Sequence, residues 1–186
     1  MPAWGWVIIV VVIAIAIAGI AWAWAFQRRT ARLKSRFGLE YDRAADRAGS
    51  RRGGESDLID RQEHRERFEV RPLTPEARER YVESWRVVQS RFVDQPSQAV
   101  EQADALVIDV MRDRGYPMED FDRRSRDVSV DYPHVVENYR AAHAISMAND
   151  HGQVSTEDLR QAIVYYRALF EELLGSARTD ADRRVG

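Results

Sequence analysis

The side chains that could do chemistry are few and far apart. The chain holds four histidines (His64, His134, His143 and His151) and no cysteine. Without thiols there is no disulfide scaffold, no thiolate-bound zinc or iron–sulfur cluster, and no cysteine nucleophile. His134 and His143 are nine residues apart, about 180° around a helix, so one helix cannot aim both at one site. His151 is closer in angle to His143 but lies past the expected helix end. No His-Glu-x-x-His zinc motif occurs, nor the paired Glu-x-x-His motifs of a di-iron bundle. Gly53-Gly54 has neither the Lys-Ser/Thr sequel of a phosphate loop nor a strand before it, and there is no Gly-x-Ser-x-Gly elbow. The 30 carboxylates read as solvated faces and i,i+4 partners. No catalytic residue, metal or cofactor is therefore assigned, and enzymatic activity is the lesser expectation.

Aromatic residues give one weaker lead. Tyr81, Trp85, Phe92, Tyr139, Tyr165, Tyr166 and Phe170 recur at helical spacings, which reads first as core. Adjacent residues on a helix point about 100° apart, so one of Tyr165 and Tyr166 should reach the surface. Trp85 with Tyr165 is the candidate partner surface, with nearby arginines.

The elements that would position these groups begin with an apolar run. Residues 4–26 read WGWVIIVVVIAIAIAGIAWAWAF, without charge or proline. As a helix this is roughly 34 Å, enough to cross a hydrocarbon core of about 30 Å. Trp4 and Trp6 stand at one end and Trp22 and Trp24 at the other, the end-by-end placement of membrane-interface tryptophans. A cleaved signal peptide would need a basic start and a shorter apolar stretch. Arg28, Arg29, Arg32, Lys34 and Arg36 follow the run, and no Lys or Arg precedes it. The positive-inside rule then puts the N-terminus outside and everything after the run in the cytoplasm. These five charges also suit anionic headgroups, although topology alone explains them. Alanine falls on nearly every face of the run, so small residues mark no particular dimer seam.

Residues 28–73 read as a basic juxtamembrane segment and a charged, partly helical spacer, in which Gly49 and Gly53-Gly54 break any long helix. The compact part is 74–174. Thr74-Pro75-Glu76 is a helix start, followed by a face of Ala77, Tyr81, Trp85, Val88 and Phe92. A second helix follows Pro96 with Ala99, Ala103, Leu106, Val107, Val110 and Met111 inward, and stops at Gly115 and Pro117. Residues 117–130 suggest one or two turns anchored by Phe121 and Val128. A third helix opens at Asp131 and Pro133 with Val135, Val136, Tyr139, Ala142 and Ile145. Ser155 and Asp158 box the start of a fourth, whose stripe is Leu159, Ala162, Ile163, Tyr166, Leu169, Phe170 and Leu173. Gly175 should end it, leaving 175–186 as a disordered tail. The fold class expected is all-α: one transmembrane helix within 1–27, then a bundle of about four helices.

Net charge is −2 overall but uneven: +5 over 1–36, −1 over 37–73, −7 over 74–174 and +1 in the tail. An acidic domain is repelled by nucleic acid and by anionic lipid, so it should stand off the bilayer and nucleic acid is no partner.

Three stretches together, ERYVESWRVVQSRFVDQPSQAVEQADALVIDVMRDRGYP at 79–117, DYPHVVENYRAAHAI at 131–145 and STEDLRQAIVYYRALFEELL at 155–174, resemble a family of bacterial, actinobacterial-type proteins. Its members pair an N-terminal hydrophobic segment with a helical domain and have no assigned activity. The resemblance implies a single-pass, helical bacterial protein and supplies no site residues.

The leading expectation is a membrane-anchored interaction or scaffold module, its partners the lipid bilayer and another membrane protein or a second copy of the chain. One alternative is a helical ligand-binding or enzymatic domain with a polar pocket, for which His143 with Tyr139 or a carboxylate is the candidate set. The other is an exported protein with a cleaved signal sequence.

Overall fold

The computed structural model describes residues 30–150, 152 and 154–183, together with Ile17, Ile20, Ala21, Trp24, Gln27 and Arg28. All regular structure among them is helical, as expected of an all-α chain. No helix of the described residues is long and apolar enough to cross a membrane. The expected span, 4–26, lies outside them apart from Ile17, Ile20, Ala21 and Trp24. The chain divides into two compact units, 1–56 and 57–186.

In the first unit residues 30–37 are helical, and Gly38 at φ +50° turns the chain into α1 (Leu39–Arg47). A second positive-φ glycine, Gly49, ends the next turn, and the Ser50 hydroxyl accepts the Gly53 N–H at 3.1 Å to start α2 (Arg51–Arg65). Gly53 and Gly54 thus lie inside a helix rather than breaking one. At Gly54 the reason is packing: a β-carbon there would lie 2.5 Å from the Ala45 nitrogen, so only glycine lets α1 and α2 approach this closely. Glu55, buried, accepts hydrogen bonds from Thr30 and Tyr41 hydroxyls, both at 2.8 Å. One carboxylate therefore ties three helical pieces in a stretch whose composition suggested a solvated spacer.

The second unit begins at Asp57, within α2, rather than at Thr74. Leu58 and Arg61 are buried, because α2 from Asp57 onward packs through polar contacts that an apolar-stripe reading overlooks. Then come α3 (Pro75–Arg91), α4 (Pro96–Asp113), α5 (Phe121–Asp131), α6 (Val136–Asn149) and α7 (Thr156–Arg183). Thr74 caps α3 by accepting the Ala77 N–H at 3.2 Å, with Pro75 in the first turn. The Asp158 carboxylate accepts the Ser155 N–H at 2.9 Å and the Ser155 hydroxyl accepts the Asp158 N–H at 3.2 Å, closing the expected capping box of α7. α4 is the central helix, packing on α3, α6 and α7, while α6 and α7 pair closely and α5 lies on α6. Ala99, Ala103, Val107, Val110, Met111, Tyr139, Ala142, Tyr166, Leu169 and Leu173 form the interior.

Two boundaries differ from expectation. Residues 117–130 hold the helix α5, capped by Asp120, whose carboxylate accepts the Arg123 N–H at 2.8 Å. And α7 passes through Gly175 to Arg183, since glycine costs a helix about 1 kcal/mol without forbidding it. Arg114 closes the unit: it is buried, donates to the Tyr132 hydroxyl at 2.6 Å and to the Leu173 carbonyl at 3.0 Å, and its own carbonyl accepts the Arg71 N–H at 2.8 Å.

Candidate functional site

Four helices of the second unit bring polar side chains to one buried place. α4 supplies Asp104, α6 supplies Tyr139 and His143, α7 supplies Tyr166, and α5 supplies Phe121 and Arg124. Tyr139 and Tyr166 each lie three residues before a core residue, Ala142 and Leu169, and so on the same face, while Asp104 and His143, next to core Ala103 and Ala142, are half-buried at its margin. Phe121 stacks flat on His143, with ring centroids 3.7 Å apart and planes at 12°. It also meets Tyr139 at 5.1 Å, and Tyr139 lies edge-on to Tyr166 at 6.3 Å.

Asp104 Oδ1, Tyr139 OH, His143 Nδ1 and Tyr166 OH are all buried and only loosely partnered: Tyr166 faces Asp104 and Ser146, and Tyr139 faces Arg124, short of well-formed hydrogen-bond geometry. Four such atoms in one cluster are unusual, because buried polar groups are normally paired. Burial pushes the Tyr139 phenol up to about 12, with Arg124 drawing it the other way. Burial, and then the Asp104 carboxylate, raise Tyr166. Burial lowers His143, against the pull of Asp104. The cluster therefore gathers two phenols, an imidazole and an aspartate side chain: donors and acceptors suited to holding a polar group. It includes His143 and Tyr139, of the set suspected from sequence as His143 with Tyr139 or a carboxylate. Tyr166 joins it, although the stripe assigned that residue to packing alone.

A second polar seam joins α2 to α5. Arg61 donates to Ser129 Oγ at 3.0 Å and pairs with Asp57, which also faces Arg126 at 3.6 Å. His64 Nε2 lies 3.7 Å from Asp127 Oδ1, and Arg65 and Tyr116 both donate to Asp131 Oδ2 at 2.6 Å. Burial raises the Asp127 carboxyl to about 6, partly opposed by His64. Every side chain here except Tyr116 comes from α2 or α5, so the seam's evident work is docking. Of the other histidines, His134 pairs with Glu172 on the surface at 3.1 Å, and His151 lies outside the described residues. No group of three or more His, Asp or Glu among the described residues could hold a metal ion.

The expected partner surface does not assemble. Trp85 is 5 % exposed and stacks on Phe170 at 4.7 Å, because its place on the α3 stripe faces the core. Tyr165 is half-buried against that core. Of the expected interface residues, Trp24 is exposed and carries the Arg28 guanidinium over its ring at 4.0 Å. Arg32, Lys34 and Arg36 are exposed, Lys34 lying 3.9 Å from Asp42. Trp4, Trp6, Trp22 and Arg29 lie outside the described residues.

No family model, curated protein or solved structure matches this chain. Its reading therefore rests on its own residues.

Proposed function

We propose that the chain is a membrane-tethered helical module: one helix formed by 4–26 anchors it with the N-terminus outside, and the acidic helical unit works in the cytoplasm on another membrane protein or a second copy of itself. The observation that carries this is at the end of the apolar run. Ile17, Ile20 and Trp24 are 61 %, 69 % and 59 % exposed, and the Arg28 cation covers the Trp24 ring. Spacings of three and four put the three on one helix face. Bare isoleucine and tryptophan there are unfavourable in water and favourable in lipid, and an arginine–tryptophan pair suits the headgroup level. Tethering raises the effective concentration of the module toward other membrane proteins. The bacterial-type resemblance agrees with this design.

Vesicle flotation of the full chain after alkaline wash tests the anchor, and protease digestion in intact cells against inverted vesicles tests the orientation. Retention with lipid and cleavage of 57–186 only in inverted vesicles are expected. A shortened mature chain released to the outside would replace this reading with export.

A second reading, favoured by the four loosely partnered buried polar atoms around Tyr139 and Tyr166, is that the module binds a small polar ligand inside the bundle. Soluble-ligand screening by thermal shift, with Tyr166→Phe as control, tests it: a ligand that stabilises the native chain and not the variant is expected.

A further inference from the structure

The first unit carries a cleft of about 460 Å³, and its wall includes Thr30, Lys34, Asp42, Asp46, Ser50 and Arg51. That volume falls in the range of small-ligand pockets, about 300–1,000 Å³. We propose that this cleft binds the phosphoethanolamine group of a membrane phospholipid, the phosphate on Lys34 and Arg51 and the primary ammonium on Asp42 and Asp46. The proposal rests on the tether reading and names the lipid the tether meets.

The charges decide the ligand class. Two cations and two carboxylates share the wall, so a purely anionic group would gain little from Lys34 and Arg51 without meeting Asp42 and Asp46. A zwitterion satisfies both signs. Lys34 and Asp42 form one long ion pair at 3.9 Å, both more than half exposed, a geometry worth little on its own and so readily exchanged for a ligand's phosphate and ammonium. The floor beneath them is fixed. Tyr41 is buried, its hydroxyl donates to Glu55, and Glu55 also accepts from Thr30. The Lys34 ammonium lies 6.0 Å from the Tyr41 ring, and Ser50 is held by the Gly53 N–H as the start of α2.

Depth agrees. The apolar run ends at Phe26, and at helical rise Thr30 is about 6 Å and Lys34 about 12 Å beyond it. The headgroup layer adds about 5–8 Å per leaflet to the hydrocarbon core. Thr30 falls within that layer, and the Lys34 stem is long enough to reach back toward it. The Thr30–Glu55 hydrogen bond brings the first turns of α2 to the same level.

The test uses the full chain in nanodiscs of phosphatidylcholine alone, with added phosphatidylethanolamine, or with added phosphatidylglycerol, reading amide exchange in 30–51. The choline headgroup has a quaternary ammonium with no N–H to donate, and the glycerol headgroup lacks the cation. Exchange about threefold slower with phosphatidylethanolamine than with either other lipid is expected, the effect of a ligand at about twice its Kd. Arg51→Gln and Asp46→Asn should each abolish the difference while leaving exchange in 57–186 unchanged. Equal exchange in all three discs, or equal slowing by phosphatidylglycerol, overturns the proposal. Slowing by millimolar free phosphoethanolamine in detergent, as strong as in the bilayer, reassigns the cleft to the soluble ester. A chain that never enters discs overturns the tether reading and this site with it. A chain that enters without lipid selectivity overturns only the site.

Discussion

Gly54 and Asp127 carry two tests of how single residues set this structure. A methyl group at Gly54 meets the Ala45 nitrogen and α-carbon and the Ala44 carbonyl carbon at 2.5–2.7 Å, all backbone that cannot swing aside. Gly54→Ala gains about 1 kcal/mol of helix propensity and loses about 1–3 kcal/mol to overpacking. A net loss of exchange protection across 30–56 is expected; increased protection would show that α1 and α2 are not in this contact. Asp127, 2 % exposed, has a carboxyl raised by burial from 3.8 to about 6. The folded chain therefore holds that proton more tightly than the unfolded one. The group's stabilising contribution is present below about pH 4, falls as pH rises toward 6, and is gone above. Asp127→Asn should remove a slope of about 1–3 kcal/mol across that window, read as urea midpoints at pH 4.5 and 7. Identical slopes in both proteins would mean the carboxyl is not desolvated. Neither feature is legible in the sequence: Gly-Gly is the signature of a break until a second backbone is known to lie against it, and an aspartate in a charged stretch looks solvated until α2 covers it. Trp85 erred the other way, since a stripe tells which face is apolar and not how deeply its largest member sinks.

Elements held by apolar stripes could be read directly, and elements held by polar contacts could not. α3, α4, α6 and α7 begin near the residues that their caps and stripes indicate, because burial of regularly spaced apolar side chains is what holds them. The second half of α2 and all of α5 instead meet through Arg61–Ser129, Arg65–Asp131 and Asp57–Arg126. These pairs join residues more than 60 apart in sequence, and linear spacing has no trace of them. The same holds for Arg114, which read as one surface charge among many yet gathers Tyr132, the Leu173 carbonyl and the 66–74 segment. Its fork-shaped guanidinium is what reaches several acceptors at once. Arg114→Met keeps volume but leaves those buried acceptors unmet, so a loss of about 3 kcal/mol in urea unfolding is expected. Arg114→Lys should recover only part of it. A Met variant as stable as the native chain would show that α7 is held by its apolar stripe alone. The candidate cluster was partly legible for a related reason: Tyr139 and His143 are one turn apart on one helix, whereas Asp104 and Tyr166 arrive from others.

At the scale of the molecule, the distribution of charge along the chain is the property that organises everything else. The +5 over 1–36 and the −7 over 74–174 are opposites separated by a near-neutral stretch, in a chain whose total is near zero. In an energised membrane each cation held on the inner side is favoured by about 2.3 kcal/mol per 100 mV, and each contributes about 1 kcal/mol more on anionic lipid. On the tethered reading proposed above, Arg28, Arg29, Arg32, Lys34 and Arg36 are the charges expected to set the N-out orientation. Replacing all five with glutamine removes that bias without shortening the apolar run or altering 57–186. The −7 unit is long and folds as a body, and acidic residues contribute little to orientation. It therefore does not compensate, and the substituted chain should insert in both directions. Protease digestion reads this directly: 57–186 is protected in intact cells for the native chain and partly exposed for the five-fold variant, with total membrane-bound chain unchanged. An unaltered orientation would show that folding of the acidic unit before insertion, rather than the flanking arginines, holds it inside. The intermediate variant with only Arg28 and Arg29 retained separates these causes, since a charge-set orientation should return in proportion to the charges kept and a folding-set one should not depend on them.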